Sequence, residues 1–214
     1  MKTKSILVTV FSIILLCSFI PKTITIKGDE YSTPCYADSS LGKPVFIRAI
    51  PMNEYVEVDD VKEKVFKKAG DSEFGMDKIV TLASKAAKQT KDFDAIIIDK
   101  ANKATLVKYK TNTYAKSMGK AQKVDGIDVF IYSTPVQAYT KGELIEINNF
   151  GIGQMNNAGD DLERIVNGLV EKTKKKIKKK EIESCDGIFI GTESMNKTLN
   201  VPVSSSGTVL RYAK

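Results

Sequence analysis

Three Ser-x-x-Lys spacings, Ser40/Lys43, Ser117/Lys120 and Ser194/Lys197, each set a hydroxyl near an amine. That spacing serves a serine nucleophile in penicillin-recognising enzymes, but the chemistry needs companion motifs and none follows here. With fifteen serines and thirty lysines in the chain, such pairs arise by chance. Asp59-Asp60 and Asp160-Asp161 carry oxygens that suit a hard cation, but neither sits in an Asp-x-Asp-x-Asp-Gly loop. The second pair reads as a helix cap and first turn. Gly151-Ile152-Gly153 lacks the later glycine of a dinucleotide fingerprint. The chain has no histidine, which removes Ser-His-Asp and Cys-His catalysis, histidine-held zinc and the usual proton switch near neutral pH. No catalytic residue, cofactor or metal is expected. Carboxylate-only hydrolysis is the catalytic alternative that survives.

The densest charge lies in Lys172, Lys174, Lys175, Lys176, Lys178, Lys179 and Lys180, seven lysines in nine residues. One reading is an anionic partner, a lipid headgroup or an acidic polymer. The other is a solvated helix end, with ammonium groups favoured by the dipole and their stems lying on apolar surface. Against thirty lysines there are three arginines, Arg48, Arg164 and Arg211. Arginine supplies most bidentate base and phosphate recognition, and no aromatic residue interrupts the run to stack on bases, so no nucleic acid is expected.

Lys2 and Lys4 precede an uncharged run from Ser5 to Ile20, the pattern of a secretory leader. Residues 1–20 therefore read as a signal peptide or anchor. Cys17 adds a lipoprotein alternative, although Leu16 stands where a lipobox prefers a small residue. The expected location is exported, in the cell envelope: periplasmic or extracellular, and membrane-anchored if the leader stays. With Cys17 removed, Cys35 and Cys185 form an even pair in an oxidising compartment. A bridge between them would close a loop of about 150 residues, worth about 4–5 kcal/mol in the chain-entropy model. The alternative is two free thiols, Cys185 packing as a small hydrophobe.

The elements that must position these groups occur in two matching series. Val45-Phe46-Ile47, Pro51 and Tyr55 recur as Val129-Phe130-Ile131, Pro135 and Tyr139, an offset of 84 residues. Asp94-Ala-Ile-Ile-Ile98 recurs as Asp186-Gly-Ile-Phe-Ile190, and Thr105-Leu-Val-Lys-Tyr109 as Thr208-Val-Leu-Arg-Tyr212. Between them, Ile79, Leu82, Ala83 and Ala86 fall at helical spacing after Asp77, a capping residue. Leu162, Ile165, Val166, Leu169, Val170, Thr173 and Ile177 form a longer stripe in the second series. The expected class is α+β: two tandem β-β-α-β-β domains from an internal duplication, after the leader. The boundaries are 1–20 leader, 21–42 extended lead-in, 43–112 first domain, 113–125 linker and 126–214 second domain.

On these residues, Asp94-Ala95-Ile96-Ile97, Asp186-Gly187-Ile188 and the closing Gly207 to Tyr212, each unit resembles the small α+β domain of YbjQ-like proteins and RcsF-like envelope lipoproteins. The likeness covers about 45–110 and 128–214. It implies a non-catalytic envelope module. The metal-binding label of YbjQ-like proteins does not carry over, because histidine is absent and cysteines are too few; the cysteine set that braces RcsF-like domains is also missing. The functional expectation is a non-catalytic envelope protein that binds, senses or scaffolds, with an envelope protein partner. The alternatives are a lysine-rich peripheral protein on an anionic surface and a carboxylate-dependent hydrolase. Distinctive contacts are expected from the loop Phe150–Gly159.

Overall fold

The structure is a computed structural model that describes residues 31–62, 76–148, 161–191, 195–198 and 201–213. The leader (1–20), Asp160, the loop Phe150–Gly159 and Ser194 lie outside the described residues. The fold is mixed α+β, mostly sheet with two helices.

Short apolar runs that are buried on both faces supply the centre of the sheet. Val45-Phe46-Ile47 forms β2 and Ala49-Ile50-Pro51 forms β3, every residue buried. Tyr55–Lys62 is β4, Ala95–Lys100 is β5 and Lys103–Tyr109 is β6. Helix α1, Met76–Ala87, precedes β5 and begins one residue before the expected cap Asp77. β2 and β5 run parallel, while β6 joins β5 and β4 antiparallel. In the second half β8 is Ile127–Ile131, β9 Ser133–Pro135 and β10 Tyr139–Asn148. Helix α2, Asp161–Lys178, follows, then β11 (Gly187–Ile190), β12 (Met195–Thr198) and β13 (Val201–Tyr212). The register repeats: Val45 faces Ile96 as Val129 faces Ile188, and Tyr55 faces Tyr109 as Tyr139 faces Tyr212.

The halves share one sheet, in the order β10-β13-β11-β8-β2-β5-β6-β4. The seam is the antiparallel pair Ile47 and Ile131, which occupy the same place in each half. Each strand bends just past the seam. Arg48 (φ 50°) and Tyr132 (φ 48°) take left-handed backbone conformations that L-residues adopt only at a cost, about 1–2 kcal/mol. The bends carry the chain out of the main sheet into a second layer, made of β3, β9, β1 (Tyr31–Ala37) and β7 (Met118–Val124).

That layer crosses the seam. β1 pairs with β9 of the second half, and β7 pairs with β3 of the first. β1 and β7 also pair with each other, with Cys35 opposite Gly119. Exchanging the halves interchanges the pairings: Pro51 faces Gly119 as Pro135 faces Cys35. The structure thus differs from the expected division. The segment read as a lead-in holds β1 and the segment read as a linker holds β7. Both are short on apolar residues because each strand buries small side chains, Cys35 and Ala37 or Ala121.

Alternation along the strands divides the core in two. Val45, Ile47, Ile96, Ile98, Val129, Ile131, Ile188 and Val209 face the helices and meet Ile79, Leu82, Leu162, Ile165, Val166 and Leu169. Phe46, Ala95, Ile97, Phe130 and Leu210 face the opposite way, under Cys35, Ala49 and Ala121 of the second layer. Phe46 and Phe130 have no exposed surface, and burying each contributes about 2–3 kcal/mol. Among the described residues no helix is long and apolar enough to cross a membrane.

Candidate functional site

Helix α2 carries the lysine run because its other face is fully used. Leu162, Ile165, Val166, Leu169, Val170 and Thr173 are buried, and the Thr173 hydroxyl donates to Leu169 O at 2.8 Å. Ile177 packs half-buried on the same core. The lysines are therefore pushed outward; Lys172, Lys174, Lys175, Lys178, Lys179 and Lys180 are exposed and Lys176 half-buried.

Among the described residues three carboxylates form ion pairs with them. Lys174 Nζ is 3.2 Å from Asp125 and Lys175 Nζ 2.6 Å from Glu171; Lys176 and Lys179 approach Glu181 at 3.7 and 3.9 Å. Lys172 donates to Glu146 O. The Lys175 hydrogen bond and charge hold the Glu171 carboxyl below its ordinary value. The helix ends in a reverse turn: Lys180 N–H donates to Ile177 O and Glu181 N–H to Lys176 O, with Lys180 left-handed at φ 59°. These bonds satisfy late carbonyls of the helix, so the lysines are not needed to cap it.

The cysteines are not brought together. Both are free, and they belong to different sides of the main sheet: Cys35 is buried under the second layer, and Cys185 packs on the helix side. Of the two alternatives, the structure has the free thiols, with the sheet between them. Burial pushes the Cys35 thiol up to about 12, an effect the Ser133 hydroxyl partly offsets. Burial also leads for Cys185, raised to about 11 against the pull of the Leu210 backbone. Neither is a thiolate at neutral pH, so neither is a ready nucleophile.

The remaining chemistry-bearing pairs are dispersed by their partners. Ser40 Oγ donates to Asp38 at 2.7 Å while Lys43 donates to Phe93 O at 2.7 Å. Asp59 and Asp60 are neighbours on one strand, where successive side chains point to opposite faces. Asp59 meets Lys91 at 2.7 Å, and Asp60 meets Lys103 at 3.0 Å and accepts from the Thr105 hydroxyl at 2.9 Å. Among the described residues no cluster of three or more acids or cysteines is placed to hold a metal.

Two carboxylates do the same backbone task in the two halves. Asp94 accepts from Tyr109 N–H at 3.0 Å, and Asp186 from Tyr212 N–H at 2.8 Å. Burial acts to raise the Asp94 carboxyl, but the Lys116 hydrogen bond, the Tyr109 N–H and the Lys116 and Lys108 charges hold it below its ordinary value.

One buried acid lies outside the sequence-based expectations. Asp128 is 2% exposed and its Oδ2 accepts from the Tyr212 hydroxyl at 2.5 Å. Lys123 Nζ lies 3.4 Å from Oδ1, an ion-pair contact without hydrogen-bond geometry. Burial, then the Asp128 hydrogen bond and charge, push the Tyr212 hydroxyl well above the ordinary tyrosine range. The sequence signal is an acid inside the otherwise apolar run Ile127-Asp128-Val129-Phe130-Ile131. The pair ties the last strand to the centre of the sheet.

No protein-family model, no curated protein and no solved structure matches this chain.

Proposed function

We propose that this is an exported, non-catalytic cell-envelope protein that works by binding, sensing or scaffolding. Its two halves are read as tandem β-β-α-β-β units from an internal duplication, each a divergent copy of the YbjQ-like and RcsF-like module, behind a leader at residues 1–20. The observation that carries the non-catalytic reading is how the strand carboxylates and the two thiols are spent. Asp94 and Asp186 hold the backbone of the closing strands, Asp128 holds Tyr212, and both thiols are protonated. A fold that commits its carboxylates to strand positioning leaves exposed surface as the place where specificity resides.

The test is a crosslinking experiment in intact cells with the full-length chain, combined with fractionation and a hydrolase screen on glycan and peptide substrates. Recovery from the envelope fraction with a discrete crosslinked partner, and without turnover, supports the reading. A cytosolic location overturns it. So does turnover abolished by one Asp or Glu substitution, which identifies a carboxylate-dependent hydrolase instead.

A further inference from the structure

Among the described residues, the outer face of α2 carries more positive charge than the carboxylates paired with it. Of the described residues three carboxylates, Asp125, Glu171 and Glu181, pair with the seven lysines, while Glu143, which also acts on Lys176, is paired with Arg211; this leaves about four charges in excess along about 12 Å of α2 and the turn that ends it. Among the described residues Lys178 and Lys180 have no carboxylate within ion-pair distance. The existing pairs are weak, since the Asp125, Glu171 and Glu181 side chains are 68, 68 and 47% exposed. An incoming anion can displace them at small cost.

We propose, resting on the binding-protein reading above, that this face docks a flexible phosphate polyanion. Three features select that partner. Lysines are point charges on flexible stems, suited to a charged chain without a fixed bidentate geometry. The stretch holds no exposed apolar side chain, since Thr173 is buried and Ile177 packs on the core, so α2 has no wedge to sink into a bilayer. No aromatic residue interleaves the lysines to stack on bases, so charge alone draws the ligand. Binding releases counterions from the polymer, which makes affinity steeply dependent on salt.

The experiment titrates the full chain with inorganic polyphosphate between 50 and 200 mM salt. For about four neutralised phosphates, affinity falls about 50-fold over that range, from a slope of roughly 0.7 per phosphate for a flexible strand. The variant with Lys175, Lys178 and Lys179 each changed to Gln binds at least about tenfold more weakly at 50 mM and shows a shallower salt slope. A second variant, Lys88, Lys100 and Lys110 each changed to Gln, loses the same net charge elsewhere on the surface and binds as wild type. The proposal is overturned if the α2 variant stays within about twofold of wild type, or if both variants lose affinity equally. It is also overturned if phosphatidylglycerol vesicles bind more tightly than polyphosphate per accessible phosphate. All six lysines are exposed, so matching urea midpoints serve as the folding control. These outcomes concern the lysine face alone; cytosolic location or substrate turnover overturns the parent reading whichever way polyphosphate binds.

Discussion

The two halves have one register and two different packings. Where the first half has Cys35, the second has Gly119, and the two face each other across β1 and β7. A Cβ on Gly119 would stand 2.4 Å from the Phe46 ring and 2.6 Å from Ile50 O. In β5 and β11 the small residues differ again: Ala95 in the first half corresponds to Gly187 in the second, under the Phe130 ring. The closing tyrosines also differ. Tyr109 donates to a backbone carbonyl, Lys116 O, at 2.6 Å, and Tyr212 to the buried Asp128 carboxylate at 2.5 Å. The pairing pattern is a property of the backbone and tolerates such exchanges. Each half must still fill its own volume and satisfy its own buried polar groups.

This contrast can be broken at its tightest point first. Gly119→Ala forces a methyl against backbone as well as a ring, and is expected to cost about 3 kcal/mol or more in urea unfolding. Gly187→Ala meets only the Phe130 ring edge at 2.9 Å and Asp128 O at 3.3 Å, and should cost less. Equal costs would mean that the two layers do not pack as described. Next in size is Tyr212→Phe, which strips a buried carboxylate of its hydrogen bond and should cost about 2–3 kcal/mol. Tyr109→Phe loses a neutral bond and should cost about 1 kcal/mol. A reversed order would show that the Asp128 pair is not what anchors the last strand.

A smaller effect separates the halves by pH. The Asp94 carboxyl is depressed in the folded state, so it contributes stability that is present above its unfolded value and lost as pH falls through the folded one. Asp94→Asn should cost about 1–2 kcal/mol at pH 7. The gap to wild type should close in acid, below the ordinary aspartate range, as read from urea midpoints across pH. A gap that stays constant would show that the ion pairs with Lys108 and Lys116 contribute nothing. Smallest is Lys180→Gly, which relieves a left-handed non-glycine residue at the end of α2 and should raise stability by about 0.5–1 kcal/mol.

Much of the fold is legible in the amino-acid sequence. The matched motif residues are those that pair across strands: Tyr55 with Tyr109 and Tyr139 with Tyr212. The stripe on α2 is buried from Leu162 to Thr173, so the exposed side of the lysines follows from period alone. A local signal for β7 is present but weakly framed. Asp125-Gly126, both left-handed at φ 52° and 84°, closes a two-residue hairpin between β7 and β8. That Asp-Gly pair sits at the border of the expected linker, because Met118–Val124 has weak alternation and buries small side chains. Asp128 reads in sequence as the start of a strand, since an acid at a strand end costs nothing until its partner is known.

Local pattern alone therefore located both helices and the central strands of the main sheet, but not β1 and β7, and showed which face of each helix is apolar and where the lysines point. Those features depend on residues within a few positions of one another. Tertiary structure decided that β1 and β7 cross to the opposite halves and that Ile47 meets Ile131. It also decided that Cys35 and Cys185 lie on opposite sides of the sheet, and that Asp128 is answered by a tyrosine 84 residues away. These outcomes depend on how layers stack and which small side chain leaves room for which ring, relations between residues distant in the chain and adjacent only once it is folded.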